Sequence, residues 1–245
     1  MQFHSLQCPE ACSLPRVHEH HSELKDPANM TVDFSLNQMV KQQIRAWDVL
    51  DPRVLNAMTE IPRNRFVPLD YQSVAFADFS IPIGGERRML TPTVAGRVLQ
   101  SLDLKPTDSV LEIGTGTGYL TACIAHLAAR VTSLDTHGDF IASATQRCED
   151  LKLGNVRFEQ RADYSPDGEK RYDAVVFTGS LAQLDDRYLN LLNPGGRLFV
   201  TVGESPVMQA MLVTRIDLEQ TLKEVVFETD LPRLTGSQPP NEFEF

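Results

Sequence analysis

Three glycines on alternate positions, Gly114, Gly116 and Gly118, stand inside the run Val110-Leu-Glu-Ile-Gly-Thr-Gly-Thr-Gly-Tyr-Leu120. A glycine turn brings bare backbone against a ligand, because no side chain occupies its tightest points. The spacing excludes two ligand classes. A dinucleotide fingerprint, G-x-G-x-x-G, needs glycine where Tyr119 stands, and a phosphate-cradling loop needs a Gly-Lys-Ser/Thr ending that is absent. The pattern is E-x-G-x-G-x-G, with Glu112 inside it. A carboxylate with no basic residue suits a ligand that is not a polyphosphate. S-adenosylmethionine fits, since it carries an ammonium and a sulfonium. Asp135 ends the next apolar run about twenty residues after the first glycine, where a carboxylate meets ribose hydroxyls. Asp163 lies just past a further strand end, in reach of an adenine amino group. The expected cofactor set is therefore Glu112, Gly114, Thr115, Gly116, Thr117, Gly118, Asp135 and Asp163.

The elements around these residues alternate. Val110, Leu111 and Ile113 have strand length, and Leu120, Cys123, Ile124 and Leu127 recur at helical spacing. Strand, turn, helix and strand 131–135 follow in order, then an amphipathic helix to about Leu151. Strands are predicted at 155–160, 172–178 and 198–202, a helix near 185–192, and a turn at Asn193-Pro-Gly-Gly196. Residues 207–216 and 221–228 alternate as a closing antiparallel pair. Such an order predicts a mostly parallel sheet with helices on both faces. Gly179-Ser180, at a strand end, falls in the crevice where open sheets bind ligands.

Upstream, Ser35 is predicted to cap a helix carrying Leu36, Met39, Val40, Gln43, Ile44 and Trp47 on one face. Asp51-Pro52 starts a second helix with Leu55 and Met58, which stops before Pro62. These helices read as a cap in front of the sheet, with 62–68 a connector. Residues 75–92 show little helical pattern, and a loop so long is usually functional. Thr91-Pro92 then caps a helix bearing Val94, Val98, Leu99 and Leu102.

The whole chain, 245 residues with 42% hydrophobic and 23% charged, has a globular profile. Its formal net charge of −10 argues against a broad nucleic-acid footprint. No apolar run has membrane-span length, no secretory signal is evident, and Cys123 and Cys148 read as buried thiols. A cytoplasmic location is expected from this cysteine usage. Residues 1–29 differ from the rest and are expected to be a disordered tail. Their Cys8, Cys12, His18, His20 and His21 match no usual zinc spacing, so no metal is expected. Patterned sequence begins just after Met30, which is the expected natural start. The expected organisation is a tail over 1–29, a helical cap and substrate loop over 30–92, and a cofactor-binding sheet domain over 93–245.

From about Leu36 onward the chain resembles the protein-L-isoaspartate O-methyltransferases. The resemblance rests on Met39-Val-Lys-Gln-Gln-Ile44, Asp51-Pro-Arg-Val-Leu55, Ile61-Pro-Arg63, Arg65-Phe-Val-Pro68, Ala75-Phe-Ala-Asp78 and Ile81-Pro-Ile-Gly84. Leu102-Asp-Leu-Lys-Pro106, the glycine turn and Asn193-Pro-Gly-Gly-Arg-Leu198 complete it. It implies a seven-stranded, Rossmann-like S-adenosylmethionine-dependent methyltransferase sheet. It further implies methylation of the side-chain carboxylate of isoaspartyl residues in damaged proteins, a repair reaction proceeding through a succinimide. On this resemblance Gly114, Gly116, Thr117 and Gly118 line the cofactor, Asp135 holds its ribose and Asp163 faces its adenine. Thr235 matches a cofactor-side threonine. Isoaspartyl proteins or peptides are the implied partners, with no nucleic acid or membrane, and the protein is expected to be a monomer.

The family's loop runs Gly-x-Gly-Gln-Thr-Ile-Ser-x-Pro, and its serine contacts the acceptor carboxylate. This chain has Gly84-Gly-Glu-Arg-Arg-Met-Leu-Thr-Pro92, so Leu90 stands at the serine position. Thr91 and Arg88 are the expected catalytic residues, with Arg87 the other candidate for the acceptor carboxylate. Ala162-Asp163 replaces the usual Gly-Asp, and Gly179-Ser180 the usual alanine pair. A carboxylate is already ionised at neutral pH, so its methylation requires orientation rather than a base. His126 and His137 accordingly read as structural or cofactor-side. Two other readings stand beside this one: a paralogue methylating another substrate, and a cofactor-binding protein without turnover.

Overall fold

The computed structural model describes residues 27–165, 170–217 and 220–234. The chain enters on α1 (Pro27–Gln38), which runs on as a π-helical stretch, Met39–Ile44, and a 3-10 turn, Arg45–Trp47. Asp48, at φ 58°, ends the run. Met39, Val40 and Ile44 are buried, but Trp47 is half exposed. Ser35 therefore sits inside a helix rather than capping one, and the helix begins before Met30. The expected tail otherwise lies outside the described residues, together with Cys8, Cys12, His18, His20 and His21.

α2 (Pro52–Glu60) starts as its sequence dictates: Asp51 accepts from the Arg53 amide at 2.8 Å, and proline fills the first helical position. Its core face is Val54, Ala57 and Met58. The segment expected to be a plain loop contains a hairpin, β1 (Ile81–Gly84) and β2 (Arg87–Met89). α3 (Pro92–Leu102) is capped by Thr91, whose hydroxyl accepts from the Val94 amide at 3.2 Å.

The sheet comprises β3 (Ser109–Ile113), β4 (Arg130–Asp135), β5 (Val156–Gln160), β6 (Tyr172–Leu181), β7 (Leu192–Glu204), β8 (Val207–Arg215) and β9 (Thr221–Thr229). α4 (Tyr119–Leu127) and α5 (Gly138–Asp150) join the first three strands. The strand order is β5-β4-β3-β6-β7-β8-β9, with β3 to β7 parallel and β8 and β9 antiparallel. Every residue of β3 is buried, as a central parallel strand requires. Alternate residues face two cores. Val110, Val131, Val176 and Phe199 meet α3, α4 and the N-terminal cap helices, while Leu111, Ile113, Leu134 and Phe177 meet Tyr164, Tyr188 and Leu191. The helix predicted near 185–192 is a 3-10 turn, Asp186–Leu191, on that second face. The predicted turn at 193–196 is an irregularity within β7, where the register with β6 shifts between Tyr172 and Ala174.

Chain direction fixes the site. From β3 the chain steps outward to β4 and β5, then returns to β6 on the opposite side. The crevice opens where the order reverses, at the carboxyl ends of β3 and β6.

Candidate cofactor and acceptor site

Each glycine of the turn answers to a different constraint. Gly114 has φ 98°, and a Cβ there would run into Thr178 Oγ1 on β6. The amides of Gly114 and Thr115 donate to the Leu134 carbonyl at 2.8 and 3.1 Å. Thr178 Oγ1 donates to the Gly114 carbonyl at 2.5 Å. Gly116, at φ 51°, donates its amide to Asp135 Oδ2 at 3.0 Å, and its bare face meets only Ile83. Gly118, at φ 84°, lies where a Cβ would come within 2.7 Å of the Ala144 methyl on α5. The turn is thus tied to β4 through the Leu134 carbonyl and the Asp135 carboxylate, and to β6 through the Thr178 hydroxyl, leaving its outer surface free for a ligand.

Above it lies a cleft of about 470 Å³ lined by Gly114, Gly116, Asp135, His137, Phe140, Tyr164 and Thr178, with Arg87 and Arg88 from the hairpin. Asp135 is buried and fixed on both oxygens, the second accepting from the His137 amide at 3.0 Å. Pro232, Arg233 and Leu234 complete the wall. They are held there by Ser180, whose amide donates to the Pro232 carbonyl and whose hydroxyl donates to the Leu231 carbonyl. Gly179 leaves room for this approach, since a Cβ would sit 3.1 Å from the Pro232 carbonyl oxygen. Thr235 lies outside the described residues.

A second hollow of about 360 Å³ adjoins the first, lined by Met89, Leu90, Ala95, Thr117, Tyr119 and Leu120. Ile83, Arg88, Gly114, Gly116 and Thr178 line both. Thr115 lines the second, with its hydroxyl sharing a hydrogen bond with Ser133 Oγ at 2.6 Å. Two spaces meeting across one glycine turn suit a donor and an acceptor brought face to face.

Gly118 lines neither space, its bare face packing on Ala144, and three further expected site residues are placed differently. Glu112 lines neither space. Its side chain is fully buried beneath the turn, where it accepts from Thr121 Oγ1 and, at 2.6 Å, from Ser133 Oγ. Burial pushes its carboxyl up to about 7, against the pull of those hydroxyls. Strand alternation is the reason: Glu112 points from β3 towards α4, away from the carboxyl-end crevice. Asp163 is exposed, and its carboxylate accepts from the Ser165 amide at 3.0 Å. The next residue, buried Tyr164, forms the wall, its hydroxyl accepting from the Thr136 amide at 3.3 Å. Thr91 lines neither space, because its hydroxyl caps α3 and shares a 3.0 Å hydrogen bond with Thr93 Oγ1.

The two arginines differ. Arg87 donates from Nε to the Gly84 carbonyl and lies 4.6 Å over the Phe140 ring, on the first cleft only. Arg88 donates from Nη1 to the Ser80 carbonyl at 3.1 Å and lines both spaces. His137 shares a 2.9 Å hydrogen bond with Thr136 Oγ1, and His126 is on the surface beside Asn56. Phe140, Tyr164 and Thr178 escaped the sequence reading. Phe140 sat among ordinary amphipathic positions, and Tyr164 beside a more conspicuous acid. Thr178 was visible only as a strand end.

A family model described as Protein-L-isoaspartate(D-aspartate) O-methyltransferase (PCMT) matches residues 35–230. Protein-L-isoaspartate O-methyltransferase 1 of Geotalea uraniireducens is 33% identical over 206 residues, covering 81% of this chain and 92% of that protein. The Koribacter versatilis protein-L-isoaspartate O-methyltransferase is 34% identical over 190 residues, 74% of this chain and 83% of its own length. Among solved structures, a Plasmodium falciparum protein-L-isoaspartate O-methyltransferase in complex with S-adenosyl-L-homocysteine aligns with a TM-score of 0.69. Its identity is 18%, over 84% of this chain and 98% of that one, so the likeness is one of fold.

Proposed function

This chain belongs to the protein-L-isoaspartate O-methyltransferase family, and from that premise we propose how its two adjoining spaces divide the reaction. It is an S-adenosylmethionine-dependent methyltransferase acting on isoaspartyl residues. The first cleft fits the cofactor by its own chemistry. It offers a carboxylate, Asp135, for hydroxyls, the aromatic side chains of Phe140 and Tyr164 as apolar walls for a flat ring, and bare backbone at Gly114 and Gly116. Bound S-adenosylmethionine supplies an electrophilic methyl group.

What remains for the chain is to hold an acceptor carboxylate in line. The acceptor is an anion at neutral pH, so no group of the protein has to remove a proton. Rate then comes from orientation and from exclusion of water. Leu90, Met89, Tyr119 and Leu120 give the second hollow an apolar wall. We assign the acceptor carboxylate to Arg88, since an arginine meets a carboxylate with charge-assisted, often paired hydrogen bonds. The observation that carries the assignment is that Arg88 lines both spaces, so that it flanks the route between donor and acceptor. Thr91, engaged at its helix, leaves the reaction centre to Arg88. Residues 93–245 read as the methyltransferase domain and 30–92 as its cap and acceptor loop, working as a monomer in the cytoplasm.

The deciding experiment is transfer of labelled methyl from S-adenosylmethionine to an isoaspartyl peptide, with the aspartyl peptide as control. Base-labile label on the isoaspartyl peptide alone supports the reading. Cofactor binding without label on either peptide would sink it.

A further inference from the structure

We infer that Arg63 is a positioning residue for the acceptor, one buried cation that sets where the Leu90 end of the loop stands against the glycine turn. This rests on the functional reading above.

Arg63 begins the 3-10 turn Arg63–Phe66 and is wholly buried. Its Nε donates to the Ala75 carbonyl at 3.0 Å, and its Nη2 to the Leu90 carbonyl at 2.7 Å. The guanidinium lies 5.0 Å over the ring of Tyr119, the first residue of α4 after the glycine turn. Nη1 is buried with no hydrogen-bond partner among the described residues. One planar group thus touches the start of the 75–92 segment, its Leu90 end, and Tyr119 of the same hollow. Leu90 and Tyr119 both line the second hollow, so the position of Arg63 determines the spacing of its walls.

A buried cation is a poor way to gain stability. Burial drives the Arg63 pKa down, and the fields of the Tyr119 hydroxyl, Cys123 and Asp78 oppose it. An apolar side chain of similar volume fills such a space without that cost. What an apolar chain does not do is hold two carbonyls from distant parts of a loop at fixed separation. The loop carbonyls need these donors because β1 and β2 form a short, separate two-stranded sheet, with no ladder to the main one among the described residues. Lysine carries the charge but presents it as a point, so it is not equivalent at a two-carbonyl clamp.

The test is Arg63→Lys in the full chain, with Arg63→Met beside it. For each, cofactor Kd is measured by titration and acceptor KM with an isoaspartyl peptide. The expected result for a folded Arg63→Lys is an acceptor KM raised about tenfold, with cofactor Kd within about twofold of wild type. Arg63→Met should show the same split, larger. An unchanged acceptor KM in a folded variant overturns the inference, as do Kd and KM rising together. Should neither variant fold, the wild-type Arg63 Nε–H resonance is followed instead, with S-adenosyl-L-homocysteine present. A shift on saturation with the isoaspartyl peptide, but not the aspartyl peptide, supports positioning; no shift overturns it. Wild-type protein that methylates no isoaspartyl peptide would fail the functional reading itself, which is a separate outcome.

Discussion

Thr178 Oγ1 donates to the Gly114 carbonyl at 2.5 Å and to the Ile113 carbonyl at 3.2 Å, so β6 clamps the end of β3 at the point where the glycine turn begins. Gly114→Ala forces a methyl into that hydroxyl at a φ that disfavours side chains. Cofactor affinity is expected to fall about a hundredfold or more, with lower thermal stability. Thr178→Val removes the clamp without adding bulk and is expected to cost about 1 kcal/mol of stability and a smaller loss of affinity. Calorimetric titration and thermal unfolding of both variants check this pair.

Glu112 makes stability depend on pH. Its folded carboxyl, near 7, lies above its ordinary 4.5, so the folded state favours the protonated form. The penalty is absent below the unfolded value, grows as pH rises through the interval, and is complete above the folded one. Glu112→Gln escapes it. Relative to wild type, the variant should gain about 3 kcal/mol between ~pH 4 and ~pH 8. That corresponds to roughly 6–12 °C in melting temperature for a chain of this size. Parallel melting curves of variant and wild type would contradict the assignment.

Arg88 and Leu90 should respond in opposite directions. Arg88→Ala is expected to lower kcat/KM for an isoaspartyl peptide by about ten- to a hundredfold, since a charge-assisted contact is lost. Arg87→Ala, whose side chain lines only the cofactor cleft, should act on cofactor affinity instead. Leu90→Ser adds a hydroxyl to the acceptor wall and should raise kcat/KM by up to about tenfold. Steady-state kinetics of the three variants, with both substrates varied, separate these effects.

Thr91 is a cap. Thr91→Ala should cost about 1 kcal/mol of stability and leave kcat within about twofold, while Thr91→Ser retains both. A fall in kcat of more than tenfold in a folded Thr91→Ala would return the hydroxyl to the reaction.

Cys123 and Cys148 are buried, and burial pushes both thiols up to about 12. Thiolate is the reactive form. Alkylation in mildly alkaline solution should leave both untouched in the native protein and modify both in denaturant, as peptide mass mapping would show.

The order of strands and helices was legible because periodicity and turn chemistry are local. Asp51, Thr91 and the alternate glycines announce themselves by type and spacing. What depended on the third dimension was not legible. Glu112 sits in the cofactor motif, yet strand alternation turns it inward to Thr121 and Ser133. Asp163 looked like the adenine contact, but a local bond to the Ser165 amide holds it outside, and its neighbour Tyr164 takes the wall. Ser35 had the right chemistry for a cap, and the helix simply continues through it. Arg63 stands in one of the motifs that carry the resemblance, but its role was not legible, because its partners are main-chain carbonyls 12 and 27 residues away, which leave no mark on side-chain sequence.

Ser180 holds residues 231–234 along the end of β6, so the cofactor cleft gains its outer wall from chain far downstream of the sheet's parallel half. During synthesis, β3 to β6 and the glycine turn leave the ribosome well before Leu234. Until residues 231–234 have been added, the chain lacks the outer wall of that cleft. Of the residues that line the cofactor cleft, those of this wall are the last to be synthesised, long after the acceptor loop and the glycine turn.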